Sequence, residues 1–383
     1  MPRIPPPAFM ATEEVRLFAD AAGRFLDRHA SRAETDAWRA AGAVPASLWR
    51  EAGRAGLLGV TVPEAYGGAG ADFRFDAALI TELGRRDALG FAIPLHNSVV
   101  LPYLVDFGTE EQKRKYLPGG CSGETVFAIA MSEPAAGSDL QGMRTTAHRD
   151  GDDYVLNGQK IFISNGLLAS VVIVAAKTDP AAGAKGISLF IVEADWPGFA
   201  RGRLLDKLGQ EGRDTVELFF SDLRVPAANR LGGEGEGFAM LMKKLPQERL
   251  VIAWQAMAMI ESAMETTVSY VRERKLFGKA LSDFQNSQFT LADCLTQATV
   301  AKVFLDHCTE RLLREELDHA TASMAKLWVT EAQGRIIDAC LQLHGGYGYM
   351  SEYPIANLYK DARAYRIYGG TSEIMKLLIA RAL

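Results

Sequence analysis

Five stretches of this chain combine residue types that handle ligands or protons. Near the C-terminus, Tyr368-Gly369-Gly370-Thr371-Ser372-Glu373 sets two glycines between an aromatic and a Thr/Ser/Glu helix opener. Such a loop lets the backbone approach a ligand closely, or it simply turns the chain into its last helix. In Ser132-Glu133-Pro134-Ala135-Ala136-Gly137-Ser138, small residues and two hydroxyls leave a strand, which can bring N–H groups up to a planar heteroaromatic or a phosphate. An ordinary loop has the same composition. Phe162-Ile163-Ser164 places an aromatic and a hydroxyl on one side of a strand, suited to a flat ring or to a strand in the core. Arg274 ends a long helical stretch, with Phe277 and Gln285 nearby, and offers a fork of donors for a pyrophosphate or for a surface ion pair. Finally, Leu245-Pro246-Gln247-Glu248-Arg249 carries a carboxylate into the apolar run 250–260. Pro246 starts or kinks that helix, and Glu248 then either works in a dry pocket or complements the helix dipole and pairs with Arg249.

The elements that must position these residues change period twice. Residues 12–124 repeat apolar positions at helical spacing (Val15, Phe18, Ala22, Phe25, Leu26; 73–83; 101–107), and Thr109 caps a further helix with Gln112 three residues on. From 126 the pattern turns strand-like: runs at 126–131, 145–149, 154–156, 171–177, 186–193 and 216–220 are punctuated by Asp150-Gly151 and Asn157-Gly158. The glycine-rich stretch 231–237 reads as a flexible turn rather than a phosphate loop, because it lacks the preceding strand and the G-K-[ST] ending. Beyond it the chain reads as helical again from 238, with the run 250–260 apolar on almost every side and therefore central to a bundle, and 284–313, 321–343 and the tail from 371 supply its further helices. The expected division is an all-α domain at 1–125, a mostly antiparallel β domain or barrel at 126–236 and a helical bundle at 237–383.

The length of 383 residues suits two or three domains. A net charge of −5 argues against a nucleic-acid surface, and Lys113-Arg114-Lys115 is the longest basic run. Cys121, Cys294, Cys308 and Cys340 are dispersed, which fits packing residues in a reducing compartment, and no two histidines have metalloprotease spacing. The proline-rich stretch 1–9 reads as a short arm, not a signal peptide, and no stretch is long and apolar enough to span a membrane. The expectation is a soluble, cytoplasmic protein without a metal.

Taken with Ala130-Met131 and Asp139 around the first loop, Asn157-Gly158-Gln159-Lys160-Ile161 and Asn165-Gly166 around the second, Arg272-Glu273-Arg274-Lys275-Leu276-Phe277-Gly278-Lys279, and Gln342-Leu343-His344-Gly345-Gly346-Tyr347-Gly348-Tyr349, the five stretches stand in the order of a known family. The chain resembles the flavin-dependent acyl-CoA dehydrogenases over nearly its whole length. The long-chain and isovaleryl branch is the nearest, above all over 245–381. The resemblance implies an N-terminal α domain, a β-barrel-like middle domain and a C-terminal four-helix bundle. It also implies FAD, an acyl-CoA substrate and an electron-transferring flavoprotein as acceptor in fatty-acid oxidation.

The resemblance carries site roles onto matching positions. FAD is expected on Ile129, Met131, Ser132, Gly137 and Ser138, on Phe162, Ile163 and Ser164, and on Thr371 and Glu373. Arg274, Phe277, Gln285, Gln342, Leu343, Gly345 and Gly346 are expected to reach the FAD of a neighbouring subunit, which implies a homodimer or homotetramer. Ser138, Arg249, Tyr368 and Gly369 are expected against the acyl-CoA. Ala135 stands where the family's loop has its first glycine, and Phe162 and Ser164 stand where Trp and Thr are frequent. Many members carry the catalytic base directly after the tyrosine of the last loop; here that position is Gly369, which has no carboxylate. The long-chain and isovaleryl branch places the base before an arginine on the first helix of the bundle, and that position is Glu248. Gly369 keeps its N–H for the enolate oxygen that forms on the thioester, beside a ribityl hydroxyl of FAD. His344 is given no catalytic role. The same fold also allows an oxidase using O2, a dehydrogenase of carrier-protein thioesters, or a non-catalytic assembly protein.

Overall fold

The computed structural model describes residues 5–383; of the arm 1–9, residues 1–4 lie outside the described residues. The first helices form where buried stripes and caps coincide. Helix α1 (Glu13–His29) turns Val15, Ala22, Phe25 and Leu26 inward and carries acids in its first turn and Arg28 and His29 in its last, matching its dipole. A capping box between Ser31 and Glu34 opens α2 (Arg32–Ala41), and Gly42 at φ 73° closes it. Helices α3 (Ala46–Arg54) and α4 (Phe73–Arg85) follow. Next comes one irregular helical segment: α5 (Ile93–Leu95), a π turn at His96–Val100, then α6 (Leu101–Phe107). Thr109 and Gln112 cap α7 (Glu110–Ser122) reciprocally, as their spacing predicts.

The sheet comprises β1 (Phe127–Ala130), β2 (Thr146–Asp150), β3 (Asp153–Ser164), β4 (Val171–Lys177), β5 (Ile187–Glu193), β6 (Phe199–Leu204), β7 (Thr215–Pro226) and β8 (Arg230–Leu231). Its order is β6-β7-β3-β2-β4-β5-β8, antiparallel except where β4 meets β1 and β2. Strand β3 is far longer than the expected 154–156, and it joins that run to 162–164. Strand β6 is absent from the sequence reading because Phe-Ala-Arg-Gly-Arg-Leu, mostly exposed, shows no alternation.

The turn at 231–237 is docked rather than flexible. Gly235 N–H donates to Ser188 Oγ at 2.9 Å, and Gly233 N–H to Glu236 Oε2 at 2.9 Å. From it starts α8 (Gly237–Glu273), which keeps Pro246 inside. Glu248 therefore lies about three turns into the helix, not in its first turn, so it cannot be serving the helix dipole.

A hairpin of β9 (Lys275–Leu276) and β10 (Lys279–Ala280) leads to α9 (Gln285–Leu313) and α10 (His319–His344). Two shorter helices, α11 (Pro354–Ala362) and α12 (Ser372–Ala380), complete the bundle; α11 is not foreseen in the sequence. One core unites α8, α9, α10 and α11 with Phe73, Ala77 and Ile80 of α4. Cys294, Cys308 and Cys340 are buried in it, and Cys121 in a second core. Arg39 fixes the three parts together, pairing with Asp87, with Glu211 after β6 and with Asp361 of α11 at 2.7–3.0 Å. No helix among the described residues is long and apolar enough to cross a membrane.

Candidate active site

A buried ion pair organises the loop after β1. Lys160 of β3 donates to Glu133 Oε1 at 2.8 Å and to Met131 O at 3.0 Å, and Glu133 also accepts the N–H groups of Arg144 and Thr145. Burial pushes the Lys160 amine down to about 8, with Glu133 working against it. Burial also disfavours charge on Glu133, but Lys160 and the N–H donors win and hold its carboxyl below the usual range. A half-satisfied pair at this depth would cost several kcal/mol, on the order of 3–5, so 131–145 and β3 are bound to move together. The Ile161 N–H donates to Ser132 O at 3.0 Å, a second tie.

Phe162 breaks the regular strand expected of 162–164. The β3–β7 register slips between Lys160 and Ile163, and Phe162 takes φ 62°, rare for an aromatic. Its ring is 66 % exposed, beside half-buried Ser132 and Ser164. A strained, exposed aromatic on a rigid sheet has a ring face free to stack on a flat ligand. Gly137 and Ser138 are exposed, and a Cβ on Gly137 would meet nothing. Ile129 and Ile163, expected at the cofactor, have side chains buried in the cores, leaving only their backbones to offer.

The second half of the site is built on α8. Glu248 is 6 % exposed, and burial pushes its carboxyl up to about 7 against the opposing effects of Tyr103, Arg249 and Lys244. Tyr103 of α6 donates to Glu248 Oε1 at 2.7 Å. Arg249 does not pair with Glu248: its guanidinium donates to Ser323 Oγ at 3.3 Å, and its buried Nε has no partner among the described residues. One helical turn beyond Glu248, Ile252 reaches the last loop, where a Cβ on Gly369 would lie 2.3 Å from its Cδ1. Gly369 at φ 64° and Gly370 at φ 94° take the conformation that the paired glycines foreshadow. Buried Lys326 of α10 donates to Gly370 O, and its amine is pushed down to about 7 by burial and by Arg249. Thr371 caps α12 through Ile374 N–H, with exposed Glu373 in the first turn, and half-buried Tyr368 packs on Tyr365 with ring centroids 5.2 Å apart.

Structure thus brings Glu248, Gly369 and Arg249 into one neighbourhood from stretches more than a hundred residues apart. It adds Tyr103, Lys326 and Ile252, which the sequence reading missed. Tyr103 and Lys326 sit in helical apolar runs where nothing in local spacing distinguishes them.

The other predicted cluster lies elsewhere. Arg274 follows Glu248 by 26 positions on or capping one helix, which at 1.5 Å per residue separates them by about 39 Å. There Arg274 lies over the Tyr347 ring at 5.3 Å. Phe277 is 95 % exposed at the hairpin tip, and Gln285, Gln342, Gly345 and Gly346 are exposed around it, with Leu343 half-buried. His344 is a packing residue: Nδ1 bonds Cys340 O at 2.9 Å and its ring stacks on Tyr270. A cavity of about 390 Å³ between α1, α4, α8 and α9, lined by Val15, Thr81, Trp254, Met257 and Leu295 among others, shares no residue with either cluster.

Three family profiles match consecutive parts of the chain: the acyl-CoA dehydrogenase N-terminal domain over 12–124, the middle domain over 128–223 and the C-terminal domain over 235–383. The long-chain specific acyl-CoA dehydrogenase of Rattus norvegicus, a mitochondrial protein, is 48% identical over 90% of this chain and 81% of its own length. The crystal structure of an acyl-CoA dehydrogenase from Geobacillus kaustophilus superposes with a TM-score of 0.96 at 46% identity, covering 99% of each chain. A glutaryl-CoA dehydrogenase from Mycobacterium smegmatis, solved in complex with FADH2, gives 0.91 at 30% identity over 98% of this chain and 96% of its own. With three domain profiles in order and a relative this similar along most of the chain, this protein belongs to the acyl-CoA dehydrogenase family.

Proposed function

We propose that this chain is an FAD-dependent dehydrogenase that converts a long-chain or branched acyl-CoA to its trans-2-enoyl-CoA, with Glu248 as the base. The observation that carries this is the buried Glu248 carboxyl, raised to about 7, one helical turn before Ile252, which packs against the Gly369 position. A carboxylate is a strong enough base for an acidic α-hydrogen only where water is excluded. The residues after β1 and on β3 fit a flavin. Phe162 offers an exposed ring, Ser132 and Ser164 offer hydroxyls, and Gly137 leaves room where a Cβ would stand. Bound there, FAD supplies the acceptor for the hydride that leaves the β-carbon. Glu248 takes the α-proton, the Gly369 N–H serves the enolate oxygen, and Arg249 and Tyr368 line the acyl side.

The two separated clusters support a homo-oligomer, dimer or tetramer, in which Arg274, Phe277, Gln285 and the 342–346 turn of one copy complete the FAD site of another. Exposed Phe289, Val300 and Val303 of α9 and Trp328 of α10 supply apolar surface for such a contact. We keep the division at 125/126 and 236/237, electron-transferring flavoprotein as the acceptor, and the cytoplasm as location, which the four free buried cysteines suit.

Anaerobic titration of the purified flavoprotein with straight and branched acyl-CoAs tests the reading. The expected result is bleaching of the oxidised flavin at stoichiometric long-chain or branched substrate. A colourless protein, or a flavin that no acyl-CoA bleaches, overturns it. Bleaching only by carrier-bound thioesters, or rapid reoxidation in air, would replace the CoA ester or the acceptor.

A further inference from the structure

The two oxygens of Glu248 are in different situations. Oε1 accepts the Tyr103 hydroxyl at 2.7 Å, whereas Oε2 has no hydrogen bond among the described residues. The cations around the carboxylate are engaged elsewhere: Lys244 with Asp106, Arg249 with Ser323, and Lys326 with the carbonyl of Gly370. Tyr103 is itself 0% exposed, so this contact is made away from water.

The backbone that delivers Tyr103 is unusual. The π turn at His96–Val100 widens the helix just before α6, and an extra residue in a turn rotates everything after it by about 100°. That turn is pinned from both sides. His96 Nδ1 accepts the Phe127 N–H at 3.2 Å, its Nε2 bonds Gly120 O at 3.0 Å, and Gln247, next to Glu248, donates to Ser98 O at 2.8 Å. The turn, the tyrosine and the glutamate therefore form one connected unit between α6 and α8.

We propose that Tyr103 is a positioning residue for proton abstraction: its hydroxyl holds Glu248 Oε1 and so presents Oε2 to the acidic α-hydrogen of the acyl thioester. This rests on Glu248 being the base. In the step itself the α C–H bond breaks, the proton joins Oε2, and the electron pair left behind spreads into the thioester carbonyl. Without the tyrosine the carboxylate turns about its terminal bond and spends less time in the productive orientation.

The same bond favours the ionised form of Glu248, so its loss raises the pH needed for activity. Tyr103 remains a donor throughout, because burial and then the charge of Glu248 raise its hydroxyl well above the ordinary value. The other charged and titratable groups around Glu248 and its neighbour Arg249 are Asp106 of α6, Lys244 of α8, and His319 and Lys326 of α10; Asp76 of α4 stands beside the π turn. Tyr103→Phe leaves all of them in place.

The test is the pH profile of kcat for Tyr103→Phe, in the wild-type and the Glu248→Gln backgrounds, each with bound flavin verified. The expected result is a fall in kcat of about 10-fold with KM within about twofold, and a lower limb of the profile moved up by about one pH unit. In the Glu248→Gln background the tyrosine change should have no further effect, because the group it positions is gone. An unmoved limb in Tyr103→Phe, with Glu248→Gln inactive, overturns the positioning role alone. An active Glu248→Gln overturns the base itself. If Tyr103→Phe retains no flavin, Tyr103→Gln, which keeps a donor, should restore both flavin and limb; failure to move the limb back sinks the proposal.

Discussion

The two ends of α8 make opposite demands on their surroundings. At Glu248 the helix is buried, and a single chain supplies the carboxylate, its donor and the loop that packs on Ile252 one turn further on. At Arg274 the same helix emerges into solvent, and aromatic, amide and glycine groups gather around a surface left exposed among the described residues. Burial suits a proton-transfer group, whose basicity depends on excluding water. Exposure suits a surface that meets a partner. One helix can thus serve a site it encloses and a site it only borders.

The largest expected effect breaks the enclosed end. Glu248→Gln should lower turnover about 10²–10⁴-fold while flavin content is unchanged, measured by steady-state kinetics and absorbance. The same variant should be the more stable protein at high pH. The buried carboxyl titrates near 7 instead of its ordinary 4.5, so ionising it costs stability that is fully felt above about pH 7 and vanishes below about 4.5. Melting curves of wild type and variant should therefore coincide at pH 4 and separate by about 3 kcal/mol in favour of the variant at pH 8. Equal stability at pH 8 would mean that Glu248 is not desolvated in solution.

The exposed end should respond in affinity. Arg274→Ala should weaken FAD retention about 10- to 100-fold, as removal of charge-assisted hydrogen bonds does. Mixing Arg274→Ala chains with Glu248→Gln chains sharpens the comparison. A dimer of the two carries one site with both halves intact, so random mixing should return about a quarter of wild-type activity. No recovery in verified heterodimers would show that the two clusters are not shared between chains.

The smallest effect probes the contact between α8 and the last loop. A carboxylate placed at Gly369 would have to displace Ile252, and φ 64° adds strain. Gly369→Glu with Glu248→Gln should therefore stay inactive, and adding Ile252→Ala should recover a few-fold over Glu248→Gln alone in turnover. Recovery without the Ile252 change would show that the loop moves aside freely.

Much of the site was legible because its motifs are local. Ser132, Phe162, Arg274 and Gly369 each stand in a short stretch whose composition limits what the backbone can do there. The helix caps at Thr109 and Thr371 were readable for the same reason: a cap is a matter of three or four neighbours. The bulge at Phe162 was not, because it arises from the register of β3 against β7, more than fifty residues further along the chain. Nor was the absence of a Glu248–Arg249 pair, since Arg249 turns to Ser323 of another helix.

By itself the sequence determined the α, β, α order, the presence of a carboxylate entering an apolar helix, and a glycine where an acid could have stood. These follow from period, capping and residue chemistry, which act within a few residues. Tertiary structure alone decided that Glu248 lies three turns inside α8, that Tyr103 donates to it, and that Ile252 fills the place beside Gly369. Each of these depends on which surfaces of distant helices meet. Packing is set by the whole chain, and desolvation, which gives Glu248 its basicity, exists only once packing is complete.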